Sequence, residues 1–423
     1  MKLISIGELE RLGAIREIQD GNHGELHPKS AEYVKSGIPF VMASNIRDGR
    51  LLLDACEHLP KSRADSLRIG FALSGDVLLT HKGTVGEVAL VPDVPDYLML
   101  TPQVTYYRTE ESKLSNRYLA FAFRSTYFKD QLGSISAQST RPYVGITAQR
   151  QLKIQYRELP EQRRIASILS AYDDLIENST RRIAILEEMA RRIYEEWFVR
   201  FRFPGHEVVR MVDSELGLVP EGWGIVAATQ VMEINPTTKV SKVGQKPFLP
   251  MNCLSDGSML IGSPGEREGN SGSKFRNGDT LFARITPCLE NGKTGFVQFL
   301  PDDEATAFGS TEFIVLRSRT LSPEFVYLLA RSEPFRENAI KSMSGASGRQ
   351  RVREACFDSF LLAQPTRELL SQFESVVRPM FKLVKALALK NTNLRTTRDL
   401  LLPKLISGEL DVSAMPAPES IAA

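Results

Sequence analysis

Apolar positions set two kinds of rhythm along this chain. Between Glu161 and Phe198, the residues Ile165, Leu169, Tyr172, Ile176, Ser179, Ile183, Leu186, Ala190, Ile193 and Trp197 follow one another in alternating steps of four and three. That is the period of a coiled-coil seam. The same spacing returns in Leu370, Phe373, Val377, Met380, Val384, Leu387, Asn391, Leu394, Arg398, Leu401 and Leu405. A stripe this narrow, with charged outer positions such as Glu187, Glu188, Arg191 and Arg192, needs a second helix to cover it. The chain carries two such stripes, so each is expected to bury its seam against the other. Pro379 lies inside the second stripe and has no N–H, which predicts a kink or break at Arg378. Asn391 and Arg398 place polar groups at seam positions, either as a device that sets register or as frayed, solvent-facing packing.

Elsewhere the rhythm shortens to strand-like runs bounded by turn residues: Ile38 to Met42, Asp76 to Thr80 and Gly86 to Val91, with a helix expected at about Asn116 to Phe128. Pro204, Gly205, Pro220 and Gly222 mark a boundary and a fresh start. These runs also repeat. PFVMASNIRDG from Pro39 is echoed by PFLPMNCLSDG from Pro247, and AQSTRPYV from Ala137 by GASGRQRV from Gly345, both at an offset of 208. GDVLLTHKG from Gly75 is echoed by GDTLFARIT from Gly278. Each copy ends in proline and a heptad helix, so the chain reads as a tandem duplication.

The expected fold class is α+β: two mixed α/β domains joined by two long antiparallel coiled-coil helices with pseudo-two-fold symmetry. The expected segments are a first domain over 1–158, a spacer helix over 159–204, a second domain over 205–364, a second spacer helix over 365–406 and a loose tail over 407–423. A helix of about 38 residues would be about 57 Å long, a ruler exceeding one turn of DNA duplex.

Composition narrows the function. A net charge of +2 excludes a globally basic coat for nucleic acid, so any anionic partner must be met by local patches. Cys56, Cys253, Cys288 and Cys356 stand singly, without metal-ligand spacing or the density of a disulfide scaffold. No window approaches the ~18 apolar residues of a membrane span. A cytoplasmic protein with no membrane partner is expected. Catalytic signatures are thin. Gly292, Lys293 and Thr294 imitate the end of a phosphate-binding loop, but the required earlier glycine is Pro287. His23 and His27 sit among glycine and proline rather than on a helix face. No metal site and no catalytic residue are expected.

Charge does cluster near the end of each copy. Ser112 to Arg157 holds Lys113, Arg117, Arg124, Lys129, Arg141, Arg150, Lys153 and Arg157 against Asp130 alone, while Asn338 to Arg353 holds Lys341, Arg349, Arg351 and Arg353 with no acid. Interleaved Ser139, Thr140 and Tyr143, or Ser347 and Gln350, add groups able to read base edges beside cations that neutralise phosphate. The competing reading is a solvated basic surface on a non-DNA protein-interaction scaffold, with two adaptor domains on a coiled-coil spacer.

The phrases LPEQRRIASILSAYDDLIENSTRRI, LGLVPEGW, GDVLLTHKGTVGEVALV and LLPKLISGEL resemble the specificity subunit of type I restriction-modification systems, over essentially the whole chain. The resemblance implies two target recognition domains, each reading one half of a bipartite double-stranded DNA site, with the helices setting the unread gap. It implies as partners two methyltransferase subunits that use S-adenosylmethionine to modify adenine, and restriction subunits that use ATP and Mg2+. No cofactor is implied for this chain. The DNA-contacting candidates are Asn22, His23, Lys82, Ser139, Thr140, Arg141 and Tyr143 in the first copy, with Arg284, Ser347, Arg349, Gln350 and Arg351 in the second. Asn22 and His23 lie in DGNHGELHP, which resembles a loop at the start of one such domain, whereas the second copy has NPTTKVSK. Lys82 aligns only approximately with the region of Ile285, so no contact carries over between them.

Overall fold

The computed structural model of the chain describes residues 2–136, 142–346 and 348–415. It divides into two units, one formed by Met1–Ile176 with Asn393–Ala423 and the other by Glu177–Thr392.

In the first unit, a four-stranded antiparallel sheet has the spatial order Ile15–Asp20, Val104–Thr109, Val77–Lys82, Thr84–Leu90. Successive side chains of a strand point to opposite faces, and here both faces are covered. Val77, Leu79 and Tyr107 belong to a core shared with helix Asn116–Arg124, while Leu78, Val104 and Tyr106 pack toward a second sheet. That second sheet runs Glu57–Leu59, Ile38–Val41, Leu98–Leu100, Phe71–Ala72, with one parallel pair between Ile38–Val41 and Leu98–Leu100. Burial on both faces explains why VLL reads as a continuous apolar run rather than an alternating one. A two-stranded pairing of Lys2–Ser5 with Lys153–Tyr156 then ties the start of the chain to the segment that leads into the first long helix.

The second unit repeats this plan. Its central sheet has the order Met232–Ile234, Phe313–Ser318, Thr280–Ala283, Thr294–Phe296. Its second sheet runs Gly265–Glu268, Gln245–Leu249, Thr306–Gly309, Ser273–Arg276, again with a single parallel pair, and Gly224–Ala227 pairs with Leu361–Gln364. The GD dipeptide that opens each central strand has a physical cause. Gly75 and Gly278 turn at φ 86° and 85°, a region open to glycine. The following aspartate caps its own turn, Asp76 accepting from Leu73 N at 2.8 Å and Asp279 from Arg276 N at 2.9 Å. Each buried carboxylate also takes a forked arginine: Arg108 reaches Asp76 at 3.0 and 2.8 Å, and Arg317 reaches Asp279 at 2.7 Å twice. The hairpin Met211–Ser214 with Gly217–Pro220, which contains the LGLVP phrase, belongs to the second unit.

The helix expected over Asn116 to Phe128 is two helices, Asn116–Arg124 and Thr126–Ser136. Ser125, extended at ψ 150°, ends the first and presents its hydroxyl to the N–H of Phe128 at 3.4 Å, so the break is a cap. Ser332 interrupts Pro323–Arg331 and Glu333–Lys341 at the same place in the second unit.

The long helices run Leu159–Tyr194 and Arg367–Ser407, and each contributes to both units. In the first unit Ile165 and Leu169 share a core with Leu402, Leu405 and Ile406, and Asp173 meets Arg398 while Arg157 meets the carbonyl of Ile406, so the two segments run antiparallel. In the second unit Ile183, Ala190 and Tyr194 share a core with Phe373, Val377, Val384 and Leu387, again antiparallel, with Thr180 opposite Asn391 and Trp197 opposite Phe373.

The polar seam residues are paired rather than frayed. Buried Asn391 donates to Thr180 Oγ1 at 3.1 Å, and Arg398 donates to Asp173 Oδ1 at 2.5 Å. The second helix is not interrupted at Pro379. Pro379 and Ser375, whose carbonyl loses its intrahelical donor, are both exposed, so water is available to that oxygen. At the far end of the first seam, a π-helical turn over Glu195–Val199 adds a residue to the turn and buries Phe198 rather than Trp197. Phe198 then sits 4.8 Å from both the Phe325 and Phe373 rings.

Removing Asp279 leaves the Arg317 guanidinium, 13% exposed, without its carboxylate. Asp279→Ala is expected to destabilise the second unit by about 3–5 kcal/mol, read by calorimetry as a lowered transition, with the first unit's transition unchanged.

Candidate nucleic-acid interface

Because neighbouring strands of the first unit's central sheet are antiparallel, three ends meet at one edge: the C-terminal ends of Ile15–Asp20 and Val77–Lys82 and the N-terminal end of Val104–Thr109. The hairpin at Gly83, φ 79°, turns the chain there. The segment around Tyr143 is stitched to this edge by backbone: Lys82 bridges Tyr143, Gly83 N donates to Pro142 O at 3.1 Å, and Val144 N donates to His81 O at 2.9 Å. Lys82 and Tyr143 are consequently exposed side by side.

Beneath them lies a buried polar network that the sequence reading missed. Thr105 Oγ1 donates to Asp20 at 2.5 Å, Gln149 Nε2 donates to Thr105 Oγ1 at 3.0 Å and to Val144 O at 2.8 Å, and Tyr107 donates to Gln149. His81 lies against it, 1% exposed, with Nε2 3.6 Å from Asp20 Oδ1, its ring 5.6 Å from that of Tyr143, and neither ring nitrogen hydrogen-bonded among the described residues. Burial holds the His81 imidazole below its ordinary pKa, and the Asp20 carboxylate opposes that shift. No spacing rule links residues 20, 81, 105, 107 and 149; the sheet register gathers the first four, and the helix Ile146–Gln149 brings the last to them.

The second unit has the same backbone and different side chains. Ile285 bridges Arg351, Thr286 N donates to Gln350 O at 3.1 Å, and Val352 N donates to Arg284 O at 2.8 Å. The strand before each bridge is fixed alike, His81 N donating to Gln103 O and Arg284 N to Glu312 O. Lys82 and Ile285 therefore occupy equivalent places, as do Tyr143 and Arg351, a correspondence that the aligned phrases left approximate. Where the first unit is polar beneath the edge, the second has buried Ile314, Leu316 and Phe357. A cleft of about 480 Å³, lined by Asn235, Thr238, Lys274, Arg284, Thr311 and Phe313 among others, opens at this edge.

Of the sequence candidates, Lys82, Tyr143, Arg349 and Arg351 are exposed. His23 is exposed with Nδ1 3.1 Å from Gly21 O, whereas Asn22 is buried and its Nδ2 finds no partner among the described residues. Gln350 is half-buried, its N–H donating to Thr286 Oγ1 at 3.1 Å. Arg284 is paired inward, donating to Glu354 at 2.7 Å and Val352 O at 3.1 Å. Ser139, Thr140, Arg141 and Ser347 lie outside the described residues. Three cations of the first copy's basic excess are taken up by partners within the unit. Arg124 is bound to Asp173, Arg150 to Glu10 and Arg157 to Glu161 and Ile406 O. Glu10 is held below the usual carboxylate range by its hydrogen bond to Arg150. No group of three or more metal-ligating side chains is found among the described residues. No described helix is long and apolar enough to cross a membrane.

Residues 8–188 match the family model described as the type I restriction modification DNA specificity domain. Among curated proteins, the chain is 25% identical over 356 residues to the type I restriction enzyme MjaIX specificity subunit of Methanocaldococcus jannaschii, covering 81% of this chain and 79% of that one. It is 32% identical over 148 residues to the EcoAI specificity subunit of Escherichia coli, covering 33% and 25%. Among solved structures, its fold is similar to the S subunit of a type I restriction-modification system from M. genitalium, with a TM-score of 0.56 at 11% identity over 96% of both chains.

The His81 shift has a consequence for stability. Its neutral form is favoured in the folded state, so its contribution is present above the unfolded value of about 6.5 and is lost as pH falls through the lower folded value. Thermal melts between pH 7 and pH 5 are expected to show a fall in the first unit's transition that is smaller in His81→Gln.

Proposed function

We propose, for a chain that belongs to the specificity subunits of type I restriction-modification systems, that each unit reads one half of a bipartite DNA site and that the two long helices fix the unread gap. As a member of that family the chain carries sequence specificity for DNA and not the catalysis, and it works in a complex with other subunits. The observation that supports two half-sites is the edge just described. The same strand order and the same backbone bridges are built twice, yet Lys82, Tyr143 and Gln103 in one unit stand where Ile285, Arg351 and Glu312 stand in the other. One scaffold with two unlike edges suits two unlike sequences.

The partners in this reading are two methyltransferase subunits and restriction subunits, which bring S-adenosylmethionine, ATP and Mg2+. This chain contributes position. In the cytoplasm, it holds the complex on its site through cations at the edges and through the side chains that reach base edges there.

Footprinting of the purified chain with its methyltransferase partner is expected to protect two short tracts separated by a fixed gap. Lys82→Ala is expected to weaken contact at one tract and Arg349→Ala at the other, each by about 1–3 kcal/mol if a base is read. A uniform loss with a salt slope reduced by about one would mark a phosphate contact instead. A single contiguous footprint, or no salt-dependent DNA binding at all, overturns the reading.

A further inference from the structure

Arg351 is held side-on by Glu312. Its Nε donates to both carboxylate oxygens, at 3.1 and 2.9 Å, and its Nη2 donates to Oε1 at 2.6 Å. The backbone of Arg351 is fixed as well, bridged to Ile285 and exchanging two hydrogen bonds of 3.0 Å with Ser344. A guanidinium carries five N–H donors in one plane, and this pairing occupies the Nε–Nη2 side. The outward edge, one hydrogen on Nη1 and one on Nη2, remains as two parallel donors, and Nη1 makes no hydrogen bond among the described residues. The arginine side chain is 49% exposed and the glutamate 22%. The pair is charge-balanced, so it adds little to phosphate attraction. What it offers is direction.

We propose that Arg351, positioned by Glu312, reads a guanine through its O6 and N7 acceptors in the half-site contacted by the second unit. Guanine presents two acceptors side by side in the major groove, matching two parallel donors, whereas adenine replaces one acceptor by its N6 donor. Glu312 is a positioning residue: it locks the guanidinium plane, as a base contact requires and a phosphate contact does not. Gln103 and Tyr143, the equivalents in the first unit, form no ion pair, so the same two backbone positions there read a different base. This inference rests on the reading that the second unit contacts one half-site.

The test is selection from a randomised duplex library by the full chain assembled with its methyltransferase partners, comparing wild type, Glu312→Gln and Arg351→Lys. The expected result is a guanine in the second half-site preferred over adenine by about 5- to 150-fold, the range of a good bidentate contact. That preference should fall at this one position in both variants, with the first half-site unchanged. Replacing the guanine by 7-deazaguanine should weaken wild type and leave Arg351→Lys unaffected. Equal loss on all sequences, or no change at any base position, overturns the guanine assignment and leaves the two half-sites standing. A selection that yields no two-part site overturns the underlying reading instead.

Discussion

An apolar stripe two residues wide per heptad cannot stay in water, and the way each stripe is covered governs both units. In the first unit Ile165 and Leu169 are closed over by Leu402, Leu405 and Ile406 together with the sheet-packing helices; in the second, Ile183, Ala190 and Tyr194 are closed over by Phe373, Val377 and Val384. The long helices are thus parts of each core rather than connectors attached to finished domains. Apolar seams alone tolerate slippage. The pairs Asn391 with Thr180 and Arg398 with Asp173 meet in one register only, and each lies within a single unit.

From that core the central strand of each unit runs outward between two fixed points. At its start, a glycine of positive φ and a buried aspartate forked by arginine hold the backbone. At its end, backbone bridges hold the segment that carries Tyr143 or Arg351. Between these points the geometry is the same in both units, so side chains at the edge can differ without disturbing what lies behind them. The difference is chemical: a buried Asp20–Thr105–Gln149 network backs one edge, and an apolar layer with Arg–Glu pairs backs the other.

Part of the positive charge that marks these stretches in sequence is spent on holding the molecule together. Arg124, Arg150 and Arg157 each meet a carboxylate or carbonyl within the first unit. A count of cations therefore overstates the reading surface, and the edge is better described by its few exposed groups. Glu312, absent from any basic cluster, orients an arginine at this edge, and that is its part in the proposed guanine contact.

The duplication and the two heptad stripes were legible in the sequence because each is a local rule: an offset and a period. The same holds for the family likeness carried by the helix phrases. The break at Ser125, the passage of the helix through Pro379 and the π turn near Trp197 were not legible, since each depends on which side of a helix faces solvent or a neighbouring ring. Nor was the approach of His81 to Asp20, the joining of Thr105 to Gln149, or the pairing of Arg351 with Glu312. Those residues lie far apart along the chain, and only the folded sheet, with the segments bridged to it, brings them to one edge.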